Sequence, residues 1–261
     1  MVRTPIQPDL STIPAQFHPI FLDTPVFDSS CSRDARVYYL DREGGLFLKT
    51  APRGALAPEA EMNAWFHSLG LGPEVLHYSS GERDWLLTRR VPGEDCMDRK
   101  YMSDPKRLCD TLAETLRMLH SQSTAGCPMP DHTGRYLRTA LENCLAGRYD
   151  ASLFPDNWGY ASAEEARQVI EETGKYLKTD TLLHGDYCLP NIMLDNWRFS
   201  GFIDLGGAGV GDRHVDLFWG RWTLNFNLKT DAYCERFLDA YGRENIEPEL
   251  LRTVAACEVF L

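Results

Sequence analysis

The stretch His184-Gly185-Asp186-Tyr187-Cys188-Leu189-Pro190-Asn191, followed by Phe202-Ile203-Asp204-Leu205-Gly206, decides how this chain reads. Between the two pieces lie Ile192-Met193-Leu194-Asp195, a turn at Asn196-Trp197-Arg198 and an apolar run from Phe199, a hairpin pattern that returns Asp204 to the side of Asn191. Phosphoryl transfer from a nucleotide needs a carboxylate for the proton of the attacking hydroxyl, hard oxygen ligands for Mg2+ and a cation for the phosphates. Asp186 suits the first task, and Asn191 with Asp204 suits the second. His-Gly-Asp alone is a common turn and Asp-Leu-Gly a common strand end. The specific signal is their conjunction across a hairpin, with Asp186 and Asn191 at the Asp-x-x-x-x-Asn spacing of protein kinases.

The cation lies upstream. Ala35 to Leu40 and Leu46 to Lys49 read as strands joined by a turn over Asp41 to Gly45. Residues two apart share a strand face, so Phe47 and Lys49 offer a ring for a base and an ammonium for phosphates on one side. Pro58 to Leu69 reads as a helix, with Pro58 and Glu59 in its first turn and Gly70 at its close, and Glu59 is placed to pair with Lys49. Trp85 to Thr88 is a further strand, and Val91-Pro92-Gly93-Glu94 breaks regular structure. Helical periodicity then dominates, most clearly at Leu108, Leu112, Leu116 and Leu119, with weaker repeats over Ala163 to Leu177 and Asp231 to Tyr241. The expectation is an α+β chain with a small β-rich N-terminal lobe (residues 1–93), a larger, mainly helical C-terminal lobe (94–261) and a ligand cleft between them.

Composition narrows the partners. The chain has 261 residues, 43% hydrophobic and 25% charged, which is ordinary for a globular protein and excludes disorder. A formal net charge of −11 argues against nucleic-acid backbone as a partner and is compatible with a cationic small molecule. The first twenty residues lack the pattern of a secretory signal, and no apolar run is long enough to span a membrane, so a cytoplasmic chain with no membrane partner is expected. Eight cysteines at wide spacing, without a Cys-x-x-Cys pair, read as reduced thiols rather than a zinc site. His67, His77, His120 and His132 show no ligand spacing, and His214 reads as packing. Trp219 and Trp222, three apart on a helix, read as core or as the wall of a cleft. Oligomeric state is not legible.

The text from Leu183 to Asp216 resembles the core of the aminoglycoside phosphotransferases, and most of all their 3′-phosphotransferase (kanamycin kinase) branch. It matches at His184-Gly185-Asp186, at Cys188-Leu189-Pro190-Asn191-Ile192-Met193, at Phe199 to Gly206, and at Asp212-Arg213 and Asp216. A weaker similarity spans nearly the whole chain, through Phe47, Lys49, Glu59 to Trp65, Trp85-Leu86-Leu87, Pro92-Gly93 and Asn157-Trp158. The resemblance implies a bilobal protein-kinase-like fold that uses ATP and Mg2+ to phosphorylate an aminoglycoside, at the 3′-hydroxyl, and so confers antibiotic resistance. It implies Asp186 as base, Asn191 and Asp204 as Mg2+ ligands, and Lys49 on the phosphates with Glu59 holding it. Phe47 would stack on adenine, the backbone from Arg89 to Val91 would bond its edge, and Ile203 would belong to the nucleotide side. His184 and Asp216 would support the catalytic loop, while Asp156, Asn157 and Glu258 would meet the cationic acceptor.

The chain departs from this family at several points. Its phosphate loop is Asp28-Ser29-Ser30-Cys31-Ser32-Arg33-Asp34, poor in glycine, where Ser29 and Ser30 would offer hydroxyls and N–H groups. Gly207 stands where an arginine is common, Phe226 and Asn227 stand where relatives carry acids, and Leu261 is one residue extra. These departures keep open a related small-molecule kinase for another hydroxylated acceptor (a sugar, choline or a macrolide) and, on the serine loop alone, a non-catalytic nucleotide-binding regulator.

Overall fold

Alternating side chains sort the first strands into a core-facing surface and an opposite one. The computed structural model describes residues 3–31, 35–150 and 159–261. Strands β1 (Thr4–Pro5), β2 (Val26–Asp28), β3 (Arg36–Leu40), β4 (Leu46–Pro52), β5 (Val75–Ser80) and β6 (Arg83–Arg89) form one antiparallel sheet, ordered β1-β2-β3-β4-β6-β5. Tyr38, Leu40, Leu46, Leu48, Trp85 and Leu87 point into a core with Ile13, Phe17 and Phe21, the last from the short helix α1 (His18–Phe21). The period of two sends Tyr39, Phe47 and Lys49 to the other face, where Tyr39 pairs with Phe47 and Val37 with Lys49.

Helix α2 (Ala57–Ser68) follows, with a proline in its first turn, and buries Ala60, Met62 and Phe66. Its entry is pinned by Asp84 of β6, which is fully buried. One carboxylate oxygen accepts from the Leu56 N–H (2.9 Å) and the Tyr78 hydroxyl (3.2 Å), the other from the Ser80 hydroxyl (2.6 Å). Burial opposes the charge of Asp84, but these donors outweigh it and hold the carboxyl below its ordinary range.

Later strands are short: β7 (Glu94–Asp95), β8 (Thr181–Leu183), β9 (Ile192–Asp195), β10 (Arg198–Phe202) and β11 (Gly209–Gly211). The hairpin β9–β10 contains a register shift between Phe199 and Gly201 and adds β7 along its other edge. Phe202 packs edge-on against Phe66, and its N–H donates to the Leu71 carbonyl. The chain divides into two compact units, Met1–Asp98 with Pro190–Gly206, and Arg99–Leu189 with Gly207–Leu261. The division is discontinuous because the hairpin folds onto α2 of the first unit.

The second unit contains α3 (Arg99–Met102), α4 (Pro105–His120), α5 (His132–Leu145), α6 (Ala163–Thr173), α7 (His214–Leu228), α8 (Cys234–Tyr241) and α9 (Pro248–Glu258). Asp104 caps α4 through the Arg107 N–H, and Leu108, Leu112, Leu116 and Leu119 are all fully buried, as their spacing predicts. Helix α6 stops at Thr173, short of the expected Leu177, and continues as a tighter 3-10 turn over Gly174–Tyr176. Helices α5, α6, α7 and α9 enclose a core around Tyr136, Ile170, Val215, Val254 and Phe260. All eight cysteines are free, and only Cys31 is exposed. Among the described residues no helix is long and apolar enough to cross a membrane, and no group of three or more His, Cys, Asp or Glu side chains is assembled to hold a metal ion.

Asp84→Ala is expected to leave the Leu56 N–H and the two hydroxyls without their acceptor, costing about 2–4 kcal/mol. A denaturant midpoint that does not move would show that Asp84 does not pin the entry to α2.

Candidate active site

In the first unit, one ammonium is held by two carboxylates. Lys49 Nζ donates to Glu59 Oε2 (2.7 Å) and to Asp204 Oδ1 (2.9 Å). Burial of Lys49 works against its charge, but Glu59 and Asp204 more than offset this and keep its pKa above the ordinary lysine value. Burial presses Glu59 upward, against the pull of Lys49, and Asp204 adds to that pressure. Asp204 is more than half exposed at its side chain and takes a left-handed backbone (φ +59°), a conformation that aspartate tolerates better than most residues. The Ile203 N–H donates to the Asn191 carbonyl (3.0 Å), so Asn191, which is buried, and Asp204 are fixed one residue apart across the hairpin. An amide and a carboxylate are hard oxygen donors, a set that suits Mg2+, which keeps waters and phosphate oxygens for its remaining positions.

The aromatic Phe47 is half-buried, with its ring centre 5.1 Å from that of Tyr39. The guanidinium of Arg3 lies over Tyr39 at 3.7 Å and over Phe47 at 5.7 Å. The Arg89 N–H donates to the Glu74 carbonyl and that of Arg90 to Gly45, while Val91 is buried. Ser30 Oγ accepts the Val37 N–H (2.9 Å), and the Ser30 N–H turns back to Asp28 (2.9 Å). Ser29 is buried, and its N–H donates to the Val37 carbonyl. Residues 32–34 of this loop lie outside the described residues.

In the second unit, Asp216 organises the loop that carries Asp186. Asp216 is fully buried. Its Oδ2 accepts the His184 N–H (2.8 Å) and the Nε2 of His120 (3.1 Å), and its Oδ1 accepts the Gly185 N–H (2.8 Å). Burial raises the Asp216 carboxyl, but His120, His184 and these donors hold it below the usual range. His120 is in turn fixed by the Tyr241 hydroxyl at 2.8 Å. Gly185 has φ +83°, and a Cβ there would collide with the Gly207 carbonyl, so only glycine fits. The Asp186 N–H donates to His184 Nδ1 (3.2 Å), and the Cys188 thiol, pushed up by burial, also bonds the Asp186 carboxylate.

Asp186 and Glu258 line one pocket of about 260 Å³, with His132, Arg135, Tyr136 and Trp219 among its walls. Glu258 Oε1 accepts from the Tyr136 hydroxyl (2.7 Å) and the Trp219 indole N–H (3.1 Å). Burial raises Glu258, these two donors lower it, and the charge of Asp186 raises it again, leaving it at about 7. His132, buried and stacked on Tyr136, is lowered to about 4 by burial and by Arg135.

The structure thus joins Lys49 with Glu59 and Asp204, Asn191 with Ile203, His184 and Asp216 with the Asp186 loop, and Asp186 with Glu258. Asp156 and Asn157 lie outside the described residues. Sequence reading missed His120 and Tyr241 as supports of Asp216, and Tyr136 and Trp219 as donors to Glu258. Each is an ordinary helical residue whose partner is remote in sequence. His214 does pack, as expected: Nδ1 bonds Asp212 (2.6 Å) and Nε2 accepts the Glu247 N–H (2.9 Å).

His120→Ala is expected to remove the side-chain donor to Asp216 and cost about 1–3 kcal/mol. A matching drop in the urea midpoint checks this, and an unchanged midpoint would contradict the support assigned to His120.

Residues 31–254 match the model of a phosphotransferase enzyme family. A protein of Lactococcus lactis named "Probable aminoglycoside 3′-phosphotransferase" is 47% identical over 97% of this chain and 96% of its own length. The aminoglycoside 3′-phosphotransferase of Niallia circulans is 30% identical over 83% of this chain and 84% of its own. Among solved structures, an aminoglycoside 3′-phosphotransferase of type VIII superposes with a TM-score of 0.69 at 27% identity, covering 86% of this chain and 88% of the other. An aminoglycoside phosphotransferase of Streptomyces rimosus, 22% identical, shares the fold with a TM-score of 0.77 over 97% of this chain and 99% of its own. With the α+β architecture these matches share, the chain belongs to the phosphotransferase enzyme family whose members include the aminoglycoside phosphotransferases.

Proposed function

We propose that this chain transfers the γ-phosphate of ATP to the 3′-hydroxyl of an aminoglycoside and so inactivates the antibiotic. The observation that carries the reading is the pocket of the second unit, where Asp186 shares its walls with Glu258. One carboxylate takes the proton of the acceptor hydroxyl, and the other faces the acceptor's ammonium groups. The 47% identical relative from Lactococcus lactis supports the same choice of substrate.

In the mechanism, the acceptor hydroxyl donates a hydrogen bond to Asp186. Its oxygen bonds to the γ-phosphorus as the bridging P–O bond to the β-phosphate breaks, the proton passes to Asp186, and ADP leaves. Asp216 holds the loop behind the base, so Asp186 need not reorganise during the step. Lys49, kept protonated by Glu59 and Asp204, offers its N–H groups to phosphate oxygens. Asn191 and Asp204 would hold Mg2+, which when bound neutralises charge developing on the phosphates. Phe47 supplies a ring for adenine, backbone near Arg89 to Val91 its hydrogen-bonding edge, and Ile203 apolar contact. The N–H groups of Ser29 and Ser30 are engaged by Val37 and Asp28, and the Ser30 hydroxyl also pairs with Asp28, so the two serines would shape the loop beside the phosphates rather than donate to them. Asp156 and Asn157 would add contacts to the acceptor.

Purified protein with ATP, Mg2+ and kanamycin is expected to add one phosphoryl group, seen by mass spectrometry and placed at the 3′ position by NMR. Tobramycin, which lacks that hydroxyl, should stay unmodified. Turnover of another hydroxylated acceptor with no turnover of any aminoglycoside would overturn the reading. Asp186→Ala should lower kcat by roughly 10²–10⁴-fold with little effect on ATP binding, and a kcat near that of the unaltered chain would remove Asp186 as base.

The raised Glu258 gives a pH signature. Below about 7 it is largely protonated in the empty pocket, and above that it is a carboxylate able to meet an ammonium. KM for the acceptor should therefore fall as pH rises from 6 to 8, and calorimetry at pH 7 should detect proton release on binding. Glu258→Gln should flatten both trends, and trends that persist in that variant would assign them to another group.

A further inference from the structure

A second cation of the first unit stands beside Phe47. The registers Pro5–Phe27, Phe27–Tyr39 and Tyr39–Phe47 run through β1, β2, β3 and β4 and set one row of side chains across a single face of the sheet. Arg3 lies two residues before Pro5 and turns to the same face. Its guanidinium is stacked on Tyr39, 3.7 Å from the ring centre, and stands 5.7 Å from the centre of Phe47. With the two ring centres 5.1 Å apart, the three make nearly a right angle at Tyr39, so the guanidinium sits over Tyr39 and beside Phe47 rather than on it. Tyr39 is itself tilted by 47° from the Phe47 ring, so neither neighbour lies flat against that ring. Nε of Arg3 is buried and has no hydrogen-bond partner, and no carboxylate pairs with this guanidinium among the described residues.

We propose that Arg3 completes the nucleobase site, donating a hydrogen bond to a base seated on Phe47 at the edge that faces away from the Arg89 to Val91 backbone. The inference rests on the reading of Phe47 as the ring that takes adenine. Strand order gives the placement. β4 lies between β3 and β6, so Tyr39 with Arg3 flanks Phe47 on one side, and Thr88, which leads into Arg89, flanks it on the other. A base on Phe47 occupies the same layer as the guanidinium and meets it edge to edge, and purine ring nitrogens accept from a planar fork of N–H donors. A buried N–H without an acceptor is unfavourable, and the edge of a base supplies the acceptor that Nε lacks. Stacking on Tyr39 holds the side chain before any nucleotide arrives, so little freedom is left to lose on binding. The phosphates lie elsewhere: Lys49 is two residues on from Phe47, about 7 Å along the strand, and its cross-strand neighbour is Val37 rather than Tyr39. Arg3 thus meets the base and leaves the triphosphate to Lys49.

Calorimetry on the full chain with two probes separates the base from the phosphates: ATP with Mg2+, and inorganic tripolyphosphate with Mg2+. Arg3→Ala is expected to weaken ATP binding about 3- to 10-fold and to leave tripolyphosphate binding unchanged. KM for ATP should rise by the same factor, with no matching change in kcat. Arg3→Lys keeps the charge without the planar fork and should recover ATP affinity only in part. Arg3 precedes an edge strand, and thermal melting checks that both variants fold. ATP binding that is unchanged or tighter in Arg3→Ala, an equal loss for both probes, or full recovery by Arg3→Lys would overturn the inference. The binding readouts need no acceptor, so the two readings fail separately. A chain that binds ATP but phosphorylates no aminoglycoside removes the proposed function and leaves the Arg3 result standing. Failure of the Arg3 test with kanamycin still phosphorylated removes this inference alone.

Discussion

One carboxylate removed from water, that of Asp216, sets the path of the loop that carries Asp186. A buried ionised carboxylate is costly by several kcal/mol unless its lone pairs are met. Here they are met by two consecutive backbone N–H groups, those of His184 and Gly185, and by the His120 ring. Because the donors belong to adjacent peptide units, satisfying Asp216 fixes the path of the chain into Asp186. Gly185 accepts the left-handed turn this path requires, and His184 bonds the next N–H along. The loop is therefore set by an electrostatic demand in the core.

The first unit uses the same logic in the opposite sense. There a cation is held by two carboxylates, one largely buried on α2 and the other more exposed on the turn after β10. The two acids differ in what they are free to do. Glu59 is committed to Lys49 by burial, whereas Asp204 keeps much of its surface in solvent and can share its charge with an incoming group. With one cation between two carboxylates the cluster is net negative, which keeps Lys49 protonated while Asp204 stays open to solvent.

Much of this was legible in the sequence because it is local. The hairpin of β3 and β4 announces itself by alternation and a Gly-Gly turn, and α4 by four leucines on one face. Strand periodicity puts Phe47 and Lys49 on one face and the helix start places Glu59 near them, but reading the three as a site rests on the Asp186, Asn191 and Asp204 set downstream. The family resemblance added Asp216 and Glu258, which no local pattern marks. What stayed hidden is non-local or runs against pattern. His120 reaches Asp216 across 96 residues, and Tyr136 reaches Glu258 across 122, so neither has a spacing to notice. The 3-10 continuation after Thr173 breaks a helical pattern that reads as unbroken, because Gly174 tightens the turn while its neighbours keep their apolar spacing. The register shift between Phe199 and Gly201 is likewise silent, since a glycine in a strand marks a bulge only once its partner strand is known.

The discontinuity of the first unit has a consequence for the order in which the protein comes into being. Lys49 and its partner Asp204 are separated by 155 positions. On a ribosome the sheet that carries Lys49 emerges long before the hairpin that covers Phe66 and delivers Asp204, and the helices α3 to α6 of the other unit are made in between. During that interval α2 lacks the contact that Phe202 will provide, so the apolar face around Phe66 waits uncovered. Completion of the first unit is thus timed by synthesis of much of the second, and contacts so distant along the chain make for slow closure. Lys49 and Asp204 meet only after α3 to α6 have been made, while α7 and α9, which carry Asp216, Trp219 and Glu258, are still to come.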